Sequence, residues 1–230
     1  MKIHIYYRHY NISGTEPRRP DWFDYEKCYD NLLTSLPDWD SDLYRVNVIY
    51  DGDNVEDNWI SNYSYHKLYK IKVGNDMNSF FETINIAKND PLVGENDLVY
   101  FLENDYLHVP GWLTKVSELF YTYENLNYVS LYDHNDKYFL LMYDDLVSKI
   151  ITTANHHWRT TPSTCGSFII NKKILDEDYD VLSSMPGDHN KFLWLNEHRS
   201  RFVLTPIPGL STHCMKGLLS PAINWNEINN

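Results

Sequence analysis

The chain has 230 residues, a formal net charge of −12 and 43% hydrophobic residues. That length holds one large domain with a full core, and that hydrophobic share excludes general disorder. The acidic balance excludes nucleic acid as a main partner, although a bound metal ion can still supply positive charge for an anionic substrate.

The 19 tyrosines and 7 tryptophans offer faces that suit sugar rings and a core equally. Three cysteines, Cys28, Cys165 and Cys214, cannot all pair within one chain and show no metal-type spacing. A reducing, cytoplasmic setting is therefore expected. The chain enters a strand pattern at once. No run suits a secretory leader or a membrane span, so a soluble protein without a transmembrane segment is expected.

Residues 2–7 predict a first strand, followed by a polar, Pro-containing segment to Pro20. Asp21 is placed to cap a helix over 22–35, with Phe23, Cys28, Leu32 and Leu33 among its apolar positions. A second strand over 44–50 ends in Asp51-Gly52-Asp53, and a polar, aromatic excursion over 54–65 follows. A third strand over 68–73 closes in Gly74-Asn75-Asp76. The next helix, over 77–88, carries Phe80, Phe81, Ile84 and Ala87 at helical spacing. Residues 98–102 are uncharged and rich in β-formers, hence a buried strand, and they end in Glu103-Asn104-Asp105. Pro110-Gly111 and an apolar-periodic segment over 112–120 come next.

In the second half, residues 128–132 predict a strand ending in Asp133-His134-Asn135-Asp136. Segments 138–143 and 149–153 suit a hairpin or edge excursion, 155–159 a loop, and 165–170 another strand. Gly187-Asp188 precedes a helix over 189–197, and a short strand over 202–206 leads to Ser211-Thr212-His213-Cys214. Residues 222–230 have too few periodic apolar positions to assign an element.

This order of elements is that of an α/β unit with a largely parallel sheet. Four strand ends are polar: Arg8-His9, Asp51-Gly52-Asp53, Gly74-Asn75-Asp76 and Glu103-Asn104-Asp105. In a parallel sheet they share one edge, where ligands of open α/β folds collect. Glu103 and Asp105 place two hard oxygen ligands there, as a divalent cation carrying substrate phosphates requires. The plainer alternative is a pair of solvated turn residues.

Taken in order, these motifs resemble those of nucleotide-sugar glycosyltransferases of the GT-A type, inverting and family-2-like, over residues 2–221. The likeness rests on Ile49-Tyr50-Asp51-Gly52-Asp53 and on Val99-Tyr100-Phe101-Leu102-Glu103-Asn104-Asp105, where the family has its Asp-X-Asp metal motif. It rests also on Gly187-Asp188, opening a helix where inverting members place a catalytic carboxylate, and on His213 after the last strand. The metal motif has Glu at its first position and Asn at its second, and Gly187-Asp188 lacks one carboxylate of the usual acidic pair.

The resemblance implies a single GT-A (Rossmann-like) α/β domain over 1–221. It would have a mostly parallel central sheet flanked by helices and a smaller acceptor-side sheet. Its nucleotide-binding half is 1–105, its acceptor-binding half 106–221, and 222–230 form a tail. The implied reaction moves a sugar from a nucleoside diphosphate sugar, UDP-linked, to a hydroxyl of a glycan or related acceptor, with inversion. Asp105 and His213 are then metal ligands, with Glu103 direct or acting through water. Carboxylates mixed with imidazole suit Mn²⁺, with Mg²⁺ as the alternative. For His213 the other reading is a surface or hydrogen-bonded histidine.

Asp188 is the candidate base for the acceptor hydroxyl, with a plain helix N-cap as its other reading and Glu177 and Asp178 behind it. Arg8, His9, Asp51, Asp53, Asn75 and Asn104, with Asp76, are candidates for the nucleotide. Trp158 is a candidate for stacking on a donor or acceptor sugar, and Arg159 for meeting a phosphate. The adjacent His156 and His157 are ill placed to converge on one ion. Two rival readings stay open. A sugar-nucleotide nucleotidyltransferase would want a glycine run in the first loop, which here begins Arg8-His9-Tyr10-Asn11. A non-catalytic carbohydrate-binding protein would explain the shortened acidic pair.

Overall fold

The computed structural model describes residues 1–10, 18–39 and 41–229. The first half runs β1 (Ile3–Tyr10), α1 (Tyr25–Thr34), β2 (Tyr44–Asp51), β3 (Lys67–Ile71), α2 (Asp76–Asn89) and β4 (Leu98–Glu103). Then come β5 (Tyr106–His108), α3 (Trp112–Thr122), β6 (Tyr128–Val129), β7 (Ile150–Thr152), β8 (His157–Thr161) and β9 (Phe168–Asn171). The chain continues through α4 (Lys172–Glu177), α5 (Tyr179–Leu182), α6 (Asp188–Arg199), β10 (Val203–Ile207), β11 (Ser211–His213) and α7 (Trp225–Ile228).

Among the described residues one sheet has nine strands in the order β3-β2-β1-β4-β9-β6-β10-β8-β7. The expected parallel arrangement holds across β3, β2, β1 and β4. Beyond them it fails: β9 runs against both β4 and β6, β10 is parallel to β6, and β8 and β7 are antiparallel additions. The sheet is therefore mixed. A separate two-stranded sheet pairs β11 antiparallel with β5.

Alternate residues of the central strands feed two cores. Along β4, Leu98, Tyr100 and Leu102 enter one, and Val99 and Phe101 the other. Burial on both faces is why that strand reads as an unbroken apolar run. Helices α1 and α3 cover the first face through residues such as Leu32 and Trp112, and α2 and α6 the second through Ile84 and Phe192. The first core draws on both halves of the chain, as Ile3 and Ile169 show, and on Trp225 beyond residue 221. The Trp225 indole donates to the Ser220 carbonyl at 2.7 Å, so packing runs into the segment set apart as a tail.

Several local expectations change. The first helix begins at Tyr25 because Asp24, not Asp21, accepts the backbone N–H of Lys27, at 3.1 Å. Asp21 is exposed and pairs with Lys216. Residues 138–143 make no strand; short 3₁₀ turns occupy Asn135–Tyr138 and Leu141–Tyr143, leaving β7 alone at the sheet edge. The supposed loop 155–159 runs into β8, which is held on both sides by β10 and β7. Of the first loop, Asn11 lies outside the described residues.

Burial also fixes a pH response. It lowers the His108 pKa to about 3, and that of His9 to about 4 against a hydrogen bond with Asn58. Both lie below the ordinary 6.5, so the unfolded chain binds more protons and stability is complete above pH 6.5. As pH falls from there, each histidine removes about 1.4 kcal/mol per pH unit until its folded pKa is reached. Glu103, raised by burial to about 8 in spite of Arg8, works in the opposite sense down to pH 4.5 and offsets one histidine. The unfolding midpoint is expected to drop between pH 6.5 and about 4.5. A thermal scan that is flat across that window contradicts it.

Candidate functional site

Connections from β1 lead to β2 and β3 on one side, and the chain returns to place β4 on the other. The crevice beyond the carboxyl ends of β1 and β4 is therefore a topological switch point, where open α/β sheets bind ligands. A cavity of about 440 Å³ opens there, lined by Arg8, His9, Tyr10, Asp51, Gly74, Asn75, Asp76, Ser79, Glu103, Asn104 and Asp105. It gathers most residues proposed for the nucleotide. Asp53 is the exception: it is exposed, outside the lining, and paired with Lys72 at 2.6 Å.

The small sheet delivers His213. It stands opposite Tyr106 in the β5–β11 register, one residue past Asp105, and its ring stacks on Tyr106 with centroids 5.2 Å apart. Nε2 of His213 thereby lies 2.9 Å from Oδ2 of Asp105. Glu103, Asp105 and His213 each present a ligand atom within 4.8 Å of the others. Burial alone would raise the Asp105 pKa, but His213 and then Arg19 outweigh it and hold the carboxyl below its usual range. His213 shows the converse: burial lowers it, and Asp105, helped by Cys165, lifts it well above an ordinary histidine.

Glu103 is fixed from several directions. Arg8, its register partner across β1 and β4, donates Nη2 to Oε1 at 2.5 Å and Nη1 to Asp76 Oδ1 at 2.8 Å. The Ser167 hydroxyl accepts the Glu103 backbone N–H at 3.1 Å. Gly166, at φ +78°, passes so close that a Cβ there would sit 2.6 Å from Glu103 Oε1. Only glycine meets both demands.

The other cavity residues are engaged to different degrees. The Asn104 amide donates to His9 Nδ1 at 3.1 Å, which leaves the proton on Nε2 to be donated to Asn58 Oδ1 at 2.9 Å. Asp51 accepts the backbone N–H groups of Val73 and Gly74, and Asn75 caps α2 by accepting from Asn78, so both shape the turn before α2.

Two carboxylates and one imidazole form an oxygen-rich set that suits a divalent cation of hard or borderline character. One atom supports the fit. Oδ1 of Asp105 is buried and has no hydrogen-bond partner among the described residues. A buried carboxylate oxygen left in that state is costly unless a ligand completes it.

Asp188 is the first residue of α6 but does not cap it; Gly187 precedes the helix at φ +78°. Its carboxylate instead accepts the backbone N–H groups of Thr164, Cys165 and Gly166 at 2.8, 2.9 and 3.3 Å, and the Thr164 hydroxyl. The turn it holds touches the cluster: Cys165 Sγ lies 3.7 Å from His213 Nδ1. Burial raises the Cys165 thiol, but hydrogen bonds with His134 and His213 prevail and bring it to about 7.

Four residues read as functional lie elsewhere. Trp158 is fully buried within β8 and cannot stack on a sugar. Arg159 is buried against Asp133 at 2.8 Å, with its guanidinium over the Tyr138 ring. Asp178 is enclosed by Tyr128, Arg199 and Arg201, and Glu177 pairs with Arg201. Two neighbours of the cluster escaped the sequence reading. Cys165 carries no signal of its own, whereas Arg19 belongs to a basic Arg18-Arg19 pair placed after the first strand of an acidic chain.

No helix among the described residues is long and apolar enough to cross a membrane. No family model matches the sequence, and no curated protein matches it. The fold itself is found among solved structures. A structure of CMP:2-keto-3-deoxy-manno-octonic acid synthetase complexed with CTP is 13% identical to this chain, with a TM-score of 0.51. The match covers 91% of this chain and 92% of that one. The chain thus has an α/β, Rossmann-like fold of the kind seen in that enzyme.

Proposed function

We propose that the chain is a divalent-metal-dependent transferase that binds a sugar nucleotide in the cavity beyond β1 and β4. The observation that carries this reading is the convergence of Glu103 and Asp105, from the end of β4 and the turn after it, with His213, from the end of β11, onto one spot. Asp105 and His213 would hold the ion, with Glu103 direct or through water. The imidazole among the ligands favours Mn²⁺ over Mg²⁺. Once bound, the ion would stabilise charge on a departing phosphate group as a Lewis acid. Arg8 and Asn104 lie on the same wall, where the first can meet an anionic oxygen and the second, oriented by His9, a nucleoside hydroxyl or base edge.

The first reading is glycosyl transfer from a nucleoside diphosphate sugar, UDP-linked, to a hydroxyl acceptor with inversion. It draws support from the imidazole after the last strand, which the resemblance to GT-A glycosyltransferases leads one to expect. Asp188 is its proposed base. The acceptor hydroxyl would take the place now held by the Thr164 hydroxyl and give its proton to that carboxylate. The second reading is nucleotidyl transfer, joining a nucleotide to a sugar. The fold likeness, taken alone, speaks for this reading over the first.

One assay separates them. With Mn²⁺ present, release of a nucleoside diphosphate from a panel of sugar nucleotides, lost in EDTA, is expected. Pyrophosphate release from CTP or UTP with a sugar or sugar phosphate, and no nucleoside diphosphate from any sugar nucleotide, replaces the first reading with the second. Sugar binding without either reaction leaves a non-catalytic binding protein.

A further inference from the structure

We propose that Arg19 is a built-in competitor for the metal ion, seated against the bonded pair Asp105 and His213 and displaced when the ion enters together with its phosphate ligand. The inference rests on the metal-centre reading of Glu103, Asp105 and His213. Arg19 donates from Nη2 to Asp105 Oδ2 at 2.7 Å and from Nη1 to the Cys214 carbonyl at 3.1 Å. Nη1 also stands 3.4 Å from Nε2 of His213. The Phe23 and Tyr25 rings flank the guanidinium, their centroids 4.8 and 5.8 Å from Cζ. Its side chain is 10% exposed and that of Asp105 is 9% exposed. The guanidinium is therefore held by the Asp105 carboxylate, the Cys214 carbonyl, the Tyr25 hydroxyl and two aromatic faces, and it neutralises the carboxylate that the ion needs.

Two physical conflicts follow. An imidazole nitrogen has one lone pair, so Nε2 cannot ligate an ion while its proton is shared with Asp105 and a guanidinium stands in front of it. Two cations brought together in a water-poor site also repel far more strongly than they would in water. The ion and the present position of Arg19 are thus mutually exclusive at His213. A diphosphate offers the displaced side chain a better partner, since the planar fork matches phosphate oxygens in pairs. Free ion should bind weakly, and ion with nucleotide tightly.

The test is Mn²⁺ binding by the whole chain, followed through the electron-spin signal of free Mn²⁺, with and without UDP. Without nucleotide, Arg19→Gln is expected to bind Mn²⁺ about tenfold tighter than the parent or better. The tightening that UDP confers on the parent should shrink by a similar factor, because the guanidinium that the diphosphate would draw off the site is gone. Unchanged or weaker Mn²⁺ affinity in folded Arg19→Gln overturns the proposal. Should that variant fail to fold, Arg19→Lys carries the test. It keeps the charge but loses the fork, so a smaller tightening is expected and parental affinity refutes the idea. Adding Asp105→Asn should abolish binding in every background; binding that survives it removes the metal centre itself, a different failure.

Discussion

Replacing Asp105 with asparagine is expected to lower kcat by about a thousandfold or more, to the level that the unmodified protein shows in EDTA. The side chain keeps its shape and one oxygen but loses the charge on which the cluster is balanced. Asp105 holds Arg19 and His213 through one oxygen and leaves the other buried and without a hydrogen-bond partner among the described residues, as the proposed metal ligand would be. The same substitution strands a buried guanidinium, so a loss of about 3 kcal/mol in stability is also expected. Turnover must therefore be measured well below the unfolding midpoint, beside a thermal scan. An asparagine variant that stays fully active in EDTA-treated buffer would remove the metal-centre reading.

Asp188→Asn is expected to cut kcat by roughly 100- to 10,000-fold while donor binding is retained, the usual range for loss of a general base. Asparagine can still offer one oxygen to the backbone N–H groups of residues 164 and 165 and turn its amide toward the Thr164 hydroxyl, so the turn should largely keep its shape. Thr164→Ala separates chemistry from scaffolding. It removes the hydroxyl bonded to Asp188 and vacates the place proposed for the acceptor. If the carboxylate accepts the proton, this variant should keep or gain turnover. If Asp188 serves only to hold the turn, Asp188→Asn will retain most activity and the base lies elsewhere.

The parts of this arrangement that could be read in advance share one property: each residue follows a strand whose pattern is unmistakable. Glu103, Asp105, Arg8 and His9 lie at the ends of apolar runs, and parallel pairing then puts them on one edge. His213 is about a hundred residues away and is expected just past a strand over 202–206, whereas it closes a further strand, β11, that carries no pattern of its own. What could not be read depended on partners distant in sequence. Arg159 looks like a free cation until Asp133 is placed beside it, and Trp158 looks like an exposed ring until β7 and β10 enclose its strand. Asp21 and Asp24 are equivalent as cap signals, and only the path of the backbone decides between them. The turn into mixed pairing was hidden for a similar reason. Strand direction is set by the connections before β9, and they carry no residue pattern that distinguishes a parallel entry from an antiparallel one.

The close passage of Gly166 past Glu103 has an evolutionary meaning. Any larger residue at 166 must push the Glu103 carboxylate aside, and relocating that carboxylate still leaves 166 at φ +78°, where a side chain is strained whatever the space. Glycine at 166 should therefore persist in descendants of this chain even where residue 103 changes, so that variation beside the cavity starts from position 103 and not from 166.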